Sequence, residues 1–207
     1  MANKVQFGLK NVHYAVLTEA SSGSPSFATP KAIKGAVNLE LSHETAETNF
    51  FADNQAYYRT SANNGYTGSL EIAKVPDDML KDIWGFGYDT TNKVLYEDGN
   101  IEPKPFALLF QIDGDQNDEC YVMYRCYASR PQIQSTTKNE NGNEPQTQTL
   151  DLTVLPLIDN STGKALNEKI YARTDGSTLA TVKASWFTTV FTDFGTTPTP
   201  NPEGEEQ

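Results

Sequence analysis

Three short segments alternate apolar and polar residues strictly, and no other feature constrains the fold of this chain as much. Ala36 to Ser42 places Val37, Leu39 and Leu41 on one side and Asn38, Glu40 and Ser42 on the other. Tyr66 to Ala73 sets Tyr66, Gly68, Leu70 and Ile72 against Thr67, Ser69 and Glu71. Thr147 to Leu155 sets Leu150, Leu152 and Val154 against Thr149, Asp151 and Thr153. Successive side chains of a strand point to opposite faces, so a period of two marks a strand with one face buried and one solvated. Phe106 to Ile112 and Cys120 to Tyr127 also have strong strand character, joined by the turn Asp113 to Glu119. Gln6 to Leu17 reads as a first strand and Lys169 to Arg173 as a late one. The expected fold is mainly β, a sandwich or barrel-like arrangement.

One flanking helix is expected over about 76–84. Proline fits the first helical position, Asp77 and Asp78 suit the positive N-terminus, and Gly85 can end the helix. Met79, Leu80, Ile83 and Trp84 make one apolar stripe, which places Trp84 against a sheet. Trp186, in the last aromatic segment Ala184 to Phe194, has no such context. Between the first two alternating strands, His43 to Gly65 reads as a long polar loop that nevertheless carries Phe50, Phe51, Tyr57 and Tyr58. Loops of about 20 residues are uncommon in compact domains and tend to be functional. One domain is expected over 1–194, followed by a Thr/Pro-rich acidic tail over 195–207.

Acidic residues number 27 and basic ones 16, a net charge of −11. That balance disfavours a phosphate backbone or an anionic membrane as a partner, since both need clustered Lys and Arg. Met1 to Lys10 has no apolar core, so no secretory signal is expected, and no stretch approaches the ~20 apolar residues that span a bilayer. Cys120 and Cys126 lie on one strand, roughly 20 Å apart, whereas a disulfide needs Cα atoms within about 7 Å. Both are expected as free thiols.

The chemistry-bearing motifs are incomplete. His13 and His43 are the only histidines, and no nucleophile elbow accompanies them. Ser161-Thr162-Gly163-Lys164 resembles the end of a phosphate loop, but Ile158 stands where that motif needs glycine. Asp113-Gly114-Asp115-Gln116-Asn117-Asp118-Glu119 has the spaced oxygens of a calcium loop, but Asp118 replaces the glycine and Tyr124 the last glutamate. Asp-Gly favours a hairpin turn there. No enzyme, cofactor or metal is expected.

Taken together, several blocks resemble the major tail proteins of siphophages of Gram-positive bacteria, of the phi13 type. They are Val5-Gln6-Phe7-Gly8-Leu9-Lys10-Asn11-Val12-His13-Tyr14-Ala15, then Gly35-Ala36-Val37-Asn38-Leu39, then Phe51-Ala52-Asp53-Asn54 followed by Tyr57. Gly65-Tyr66-Thr67-Gly68-Ser69-Leu70-Glu71-Ile72, the helix from Pro76-Asp77 to Trp84-Gly85, Lys104-Pro105-Phe106-Ala107-Leu108-Leu109-Phe110 and Gln146-Thr147-Gln148-Thr149-Leu150 complete the series. The resemblance runs from about residue 5 to 190, and the order and spacing of the blocks carry it. It implies a β-sandwich with a flanking helix. It also implies six-fold rings, stacked into the hollow virion tail tube through which DNA leaves without specific binding. The implied partners are other copies of the chain, a tape measure protein inside the tube, and the tail terminator and distal tail proteins. Some relatives carry a further immunoglobulin-like domain after the Thr/Pro segment; none is expected here. In such tubes the long loop bridges neighbouring subunits or rings.

On that basis Asn38, Glu40, Ser42, Ser69, Glu71, Thr149, Asp151 and Thr153 are expected to line the channel. Phe50, Phe51, Asp53, Tyr57 and Tyr58 are expected to contact neighbours, from a loop mobile in the free subunit and ordered in the tube. The alternative is a β-sandwich module or adhesin that recognises glycan, which aromatic richness and polar loops permit.

Overall fold

The computed structural model describes residues 8–52, 55–114, 117–135, 137, 146–161 and 165–194, with backbone alone at 51, 52 and 56. In chain order the strands are β1 (Leu9–Thr18), β2 (Ser26–Phe27), β3 (Lys31–Ala32), β4 (Ala36–Ala52) and β5 (Gln55–Ile72). Helix α1 (Asp77–Trp84) precedes β6 (Gly87–Asp89), β7 (Val94–Tyr96), β8 (Phe106–Ile112), β9 (Cys120–Ala128), β10 (Gln148–Val154) and β11 (Tyr171–Arg173). Helix α2 (Ala180–Ser185) follows. The protein is mainly β, as its alternating segments require. Among the described residues, nine strands form one antiparallel sheet in the order β2-β1-β8-β9-β10-β5-β4, with β3 on β1 and β11 on β9. β6 and β7 pair separately. The sheet curls, so that β1 approaches β4 without pairing to it.

The curl encloses the larger core. Leu70 and Ile72, Leu150, Leu152 and Val154, Phe106 and Leu108, and Met79, Ile83 and Trp84 of α1 are all fully or nearly fully buried there. Pro76 caps α1 in extended conformation, the two aspartates lie in the first turn, and Gly85 ends it in the left-handed region at φ 69°. The Trp84 indole donates to the carbonyl of Ala128 on β9 (3.3 Å), so the helix packs on the sheet as its stripe requires. A second cluster covers the other face of β1, β8 and β9. β8 is therefore buried on both sides: Phe106, Leu108 and Phe110 face one cluster, Ala107 and Leu109 the other. An unbroken apolar run is what such a strand needs.

Trp186 belongs to the second cluster. It stacks on Phe191 (5.6 Å) and donates to the carbonyl of Tyr121 (3.3 Å). The Tyr124 hydroxyl donates to the carbonyl of Phe191 (2.8 Å). Residues 180–194 thus form a lid over the sheet, with a second helix that the sequence pattern does not announce.

Three expectations require correction. Among the described residues the fold has two helices where one flanking helix is expected, since α2 (Ala180–Ser185) follows β11. His43 to Gly65 is not a loop: β4 and β5 pair continuously from Ala36↔Ile72 to Ala52↔Gln55. Strand pairing satisfies the backbone groups that a free loop would leave to water. Val37, expected on the buried face with Leu39 and Leu41, is 55% exposed. The register slips between Ala36 and Asn38, which removes Val37 from the alternation. Met1 to Phe7, Asp53, the phosphate-loop-like Thr162-Gly163-Lys164 and the 195–207 tail lie outside the described residues, as do Asp115 and Gln116 of the β8–β9 turn.

Both cysteines are buried and unpaired in disulfides. Burial pushes the Cys126 thiol up to about 12 and raises Cys120 as well. Thiolate is the reactive species. A thiol reagent at about pH 8 is therefore expected to label neither cysteine in the folded protein and both after denaturation; rapid labelling before unfolding would contradict this packing.

Candidate functional site: a polar sheet face and a projecting hairpin

The three alternating segments become neighbours. Antiparallel register sets Asn38 opposite Glu71 and Glu71 opposite Thr149; Glu40 opposite Ser69 and Ser69 opposite Asp151; Ser42 opposite Thr67 and Thr67 opposite Thr153. Directly paired residues share a face, so all eight residues singled out from the sequence lie on one side of β4-β5-β10. Leu70, Leu150 and Leu152 fill the reverse side. Asn38, Glu40, Ser42, Thr149, Asp151 and Thr153 are exposed, and Ser69 and Glu71 half-buried.

Thr67 completes the middle row. Its hydroxyl donates to Glu44 Oε1 (2.7 Å), which adds a fourth carboxylate to Glu40, Glu71 and Asp151. The Thr147 hydroxyl donates to Glu71. Residues 36–44, 65–72 and 148–154 contain no Lys or Arg. On the next strand, Arg125 is already bonded to Glu19 (2.6 Å). Glu40 and Asp151 lie two strands apart, roughly 10 Å, close to the Debye length of about 8 Å at physiological salt. Their fields therefore overlap only partly, and the face acts as a spread negative surface. It offers no clustered pocket, and no group of three or more metal-ligating side chains exists among the described residues.

Beyond this patch the same two strands project as an arm. Every side chain from His43 to Phe50, and from Tyr57 to Asn64, is exposed. Two bulges shape the arm. Asn64 is unpaired between Glu44↔Gly65 and Thr45↔Asn63, and Tyr57 between Phe50↔Tyr58 and Phe51↔Ala56. The first sits where the arm leaves the body and is braced by side chains. Asn63 Oδ1 accepts from the Gly65 amide (3.0 Å) and hydrogen-bonds His43 Nε2 (2.9 Å), while His43 Nδ1 meets the Thr45 hydroxyl (2.9 Å). Past this point the arm has two distinct faces. Ala46 and Ala62, Thr48 and Thr60, and Phe50 and Tyr58 share one; Glu47 and Ser61 share the other with Asn49 and Arg59, where Arg59 bonds Glu47.

Phe50, Tyr57 and Tyr58 are 60%, 79% and 61% exposed. Paired strands hold them outward, away from the rest of their own chain. Only the backbone of Phe51 is described, paired with Ala56. Sequence reasoning put Thr67 on the polar side of its strand without singling it out, and missed Glu44 and the His43–Asn63 brace. Thr67 continues the Ser69–Glu71 alternation; the other two depend on the register of the arm.

No family model and no curated protein matches the chain. The class that fold and site define is thus a mainly β protein with a large antiparallel sheet.

Proposed function

We propose that the chain is a structural subunit of a siphophage tail tube. Copies would form stacked six-fold rings around a channel that conducts DNA, built onto a tape measure protein and bounded by terminator and distal tail proteins. The observation that carries this reading is the continuity of two surfaces on the same pair of strands. A broad acidic face without basic residues passes directly into an arm that holds aromatics in solvent. A conduit needs a wall from which DNA slides off, and like charge provides it. An assembly needs anchors that bury only against another molecule, and large aromatics are the commonest. The resemblance along the chain supports the same reading.

The sheet also ends openly. No strand among the described residues pairs with the outer edge of β4. An unpaired edge is a template for a further strand, and a long one left bare is a liability for a chain that stays single.

Electron microscopy of the purified protein is expected to show rings or tubes. Replacing Glu40, Glu71 and Asp151 together with Lys is expected to leave the subunit folded, since two of the three are exposed and surface changes are usually within about 0.5 kcal/mol. Tubes of this variant should retain DNA at low salt and release it as salt rises, through counterion release. DNA passage as free as in the parent at low salt would refute the repulsive wall. A glycan-binding module has one observation in its favour, a groove lined by Tyr66, Tyr121 and Tyr171. Isolated globules that bind cell-wall glycan would decide for it.

A further inference from the structure

The mouth of the core between β4 and β11 is left uncovered. β10 pairs with β9 only over Ala128 to Cys126, and β11 takes the same edge of β9 over Met123 to Tyr121. Beside this junction the arm departs from the body, and a groove of about 400 Å³ opens. Leu39, Leu41 and Tyr66 form one wall; Phe110, Met123 and Tyr171 belong to the other. Its lining is mostly aliphatic and aromatic carbon, with the hydroxyls of Tyr66, Tyr121 and Tyr171 and the Arg173 guanidinium as its polar groups; Arg173 bonds Glu119 (2.7 Å) and remains half-exposed. Tyr66 and Tyr171 meet edge to face across it (6.0 Å).

We propose that this groove receives the aromatic tip of the arm, Phe50 and Tyr58 with Tyr57, from a second copy of the chain. The inference rests on the reading that the protein self-assembles, and it names the two surfaces that meet. Three features of the molecule favour this occupant. First, the tip cannot reach the groove of its own chain. Phe50 lies roughly 30 Å along the strand from Leu41, at ~3.3 Å per residue, and paired strands hold the arm extended. Second, the surfaces match in kind. The arm carries the most exposed aromatic cluster among the described residues, and the groove exposes aliphatic and aromatic carbon on a concave surface. Third, the area is of the right order. Three aromatics bury about 150–250 Å² each, together roughly half to nearly all of the ~800 Å² per partner of a stable interface. One contact alone is therefore weak. A chain that both gives an arm and receives one makes two, and because donor and acceptor surfaces differ, the contact is head-to-tail and propagates.

Both native thiols are buried, so introduced cysteines report cleanly. Tyr58→Cys and Tyr171→Cys alter exposed positions and should leave the fold intact. The two variants are mixed under assembly conditions and oxidised. The expected result is a disulfide-linked species of twice the chain mass in the mixture, absent from either variant alone and lost when Phe50→Ser is added to the arm. Assembled particles without this cross-link would overturn the pairing while leaving self-assembly standing. The cross-link in particles that are neither rings nor tubes would uphold the pairing and sink the tube. Protein that neither assembles nor cross-links at any concentration would overturn both. Tip cysteines linking to one another in the Tyr58→Cys variant alone would show an arm-to-arm contact and overturn the proposal.

Discussion

A chain in which Thr48 to Thr60 is replaced by Asn-Gly is expected to fold as stably as the parent and, on the proposed function, to form no tubes at concentrations where the parent is expected to polymerise. The replacement joins Glu47 to Ser61, which already face each other, through a two-residue turn of the type that suits twisted strands. The described side chains removed are exposed, so the subunit loses little buried surface. Ordering backbone costs about 1–2 kcal/mol per residue, and burying a large aromatic returns about 1.5–3. Had the arm been a loose loop, three or four aromatics could not have offset its ordering. Paired within the subunit, it presents those side chains with much of that cost already met by folding. Calorimetry and electron microscopy read the two halves of the expectation separately. Tubes from the shortened chain would remove the arm from the assembly, and a melting point lower by more than about 5 °C, more than ~1 kcal/mol for a domain of this size, would show that the arm supports its own subunit.

The second large effect is expected at Gly65. This residue has φ +97°, and a Cβ built on it would lie 1.9 Å from the carbonyl oxygen of Val154 and 3.0 Å from its carbon. The contact is with backbone, so no rotamer change relieves it. Gly65→Ala must either break the Tyr66↔Val154 pairing at the end of β10 or move the base of the arm. Left-handed strain adds about 1–3 kcal/mol to the clash, and the total expected is roughly 3–5 kcal/mol, or about 10–15 °C in melting temperature. Gly23 provides the control. It also has positive φ, +113°, but a Cβ there meets nothing within 4 Å. Gly23→Ala should show the backbone term alone. Equal losses at the two positions would mean that close approach to β10 is not what requires glycine at Gly65.

How much of this was legible in the sequence depends on what each segment buries. Helix α1 was readable because Pro76, the two aspartates and Gly85 bracket a short apolar stripe. β8 was readable because a strand buried on both faces needs an unbroken apolar run. The distal halves of β4 and β5 bury neither face in their own subunit, so they carry no hydrophobic period. Their polarity and the Asn residues around Gly65 then resemble a loop. The remaining signal was propensity: Thr45, Thr48, Tyr57, Tyr58 and Thr60 all favour strands. Trp186 was unreadable for a different reason. Its partners Tyr121 and Phe191 come from β9 and the chain terminus, and only the folded sheet brings them together. The polar face falls between these cases. Each alternation was visible by itself, but β10 lies far from β4 and β5 in sequence, and its place beside them is a property of topology.

The bare edge of β4 bears on how growth begins. Two copies that meet edge to edge would each bring Glu40, Glu44 and the strand's remaining acidic residue Glu47 to the junction, on chains of net charge −11. Repulsion opposes that first encounter, and salt weakens it. Once a partner is already seated by several contacts, the same edge can close at little further cost. The slow event for an assembling chain would then be the formation of a seed, followed by rapid addition to its end. Such a subunit could accumulate without clumping and lengthen only where a template is offered.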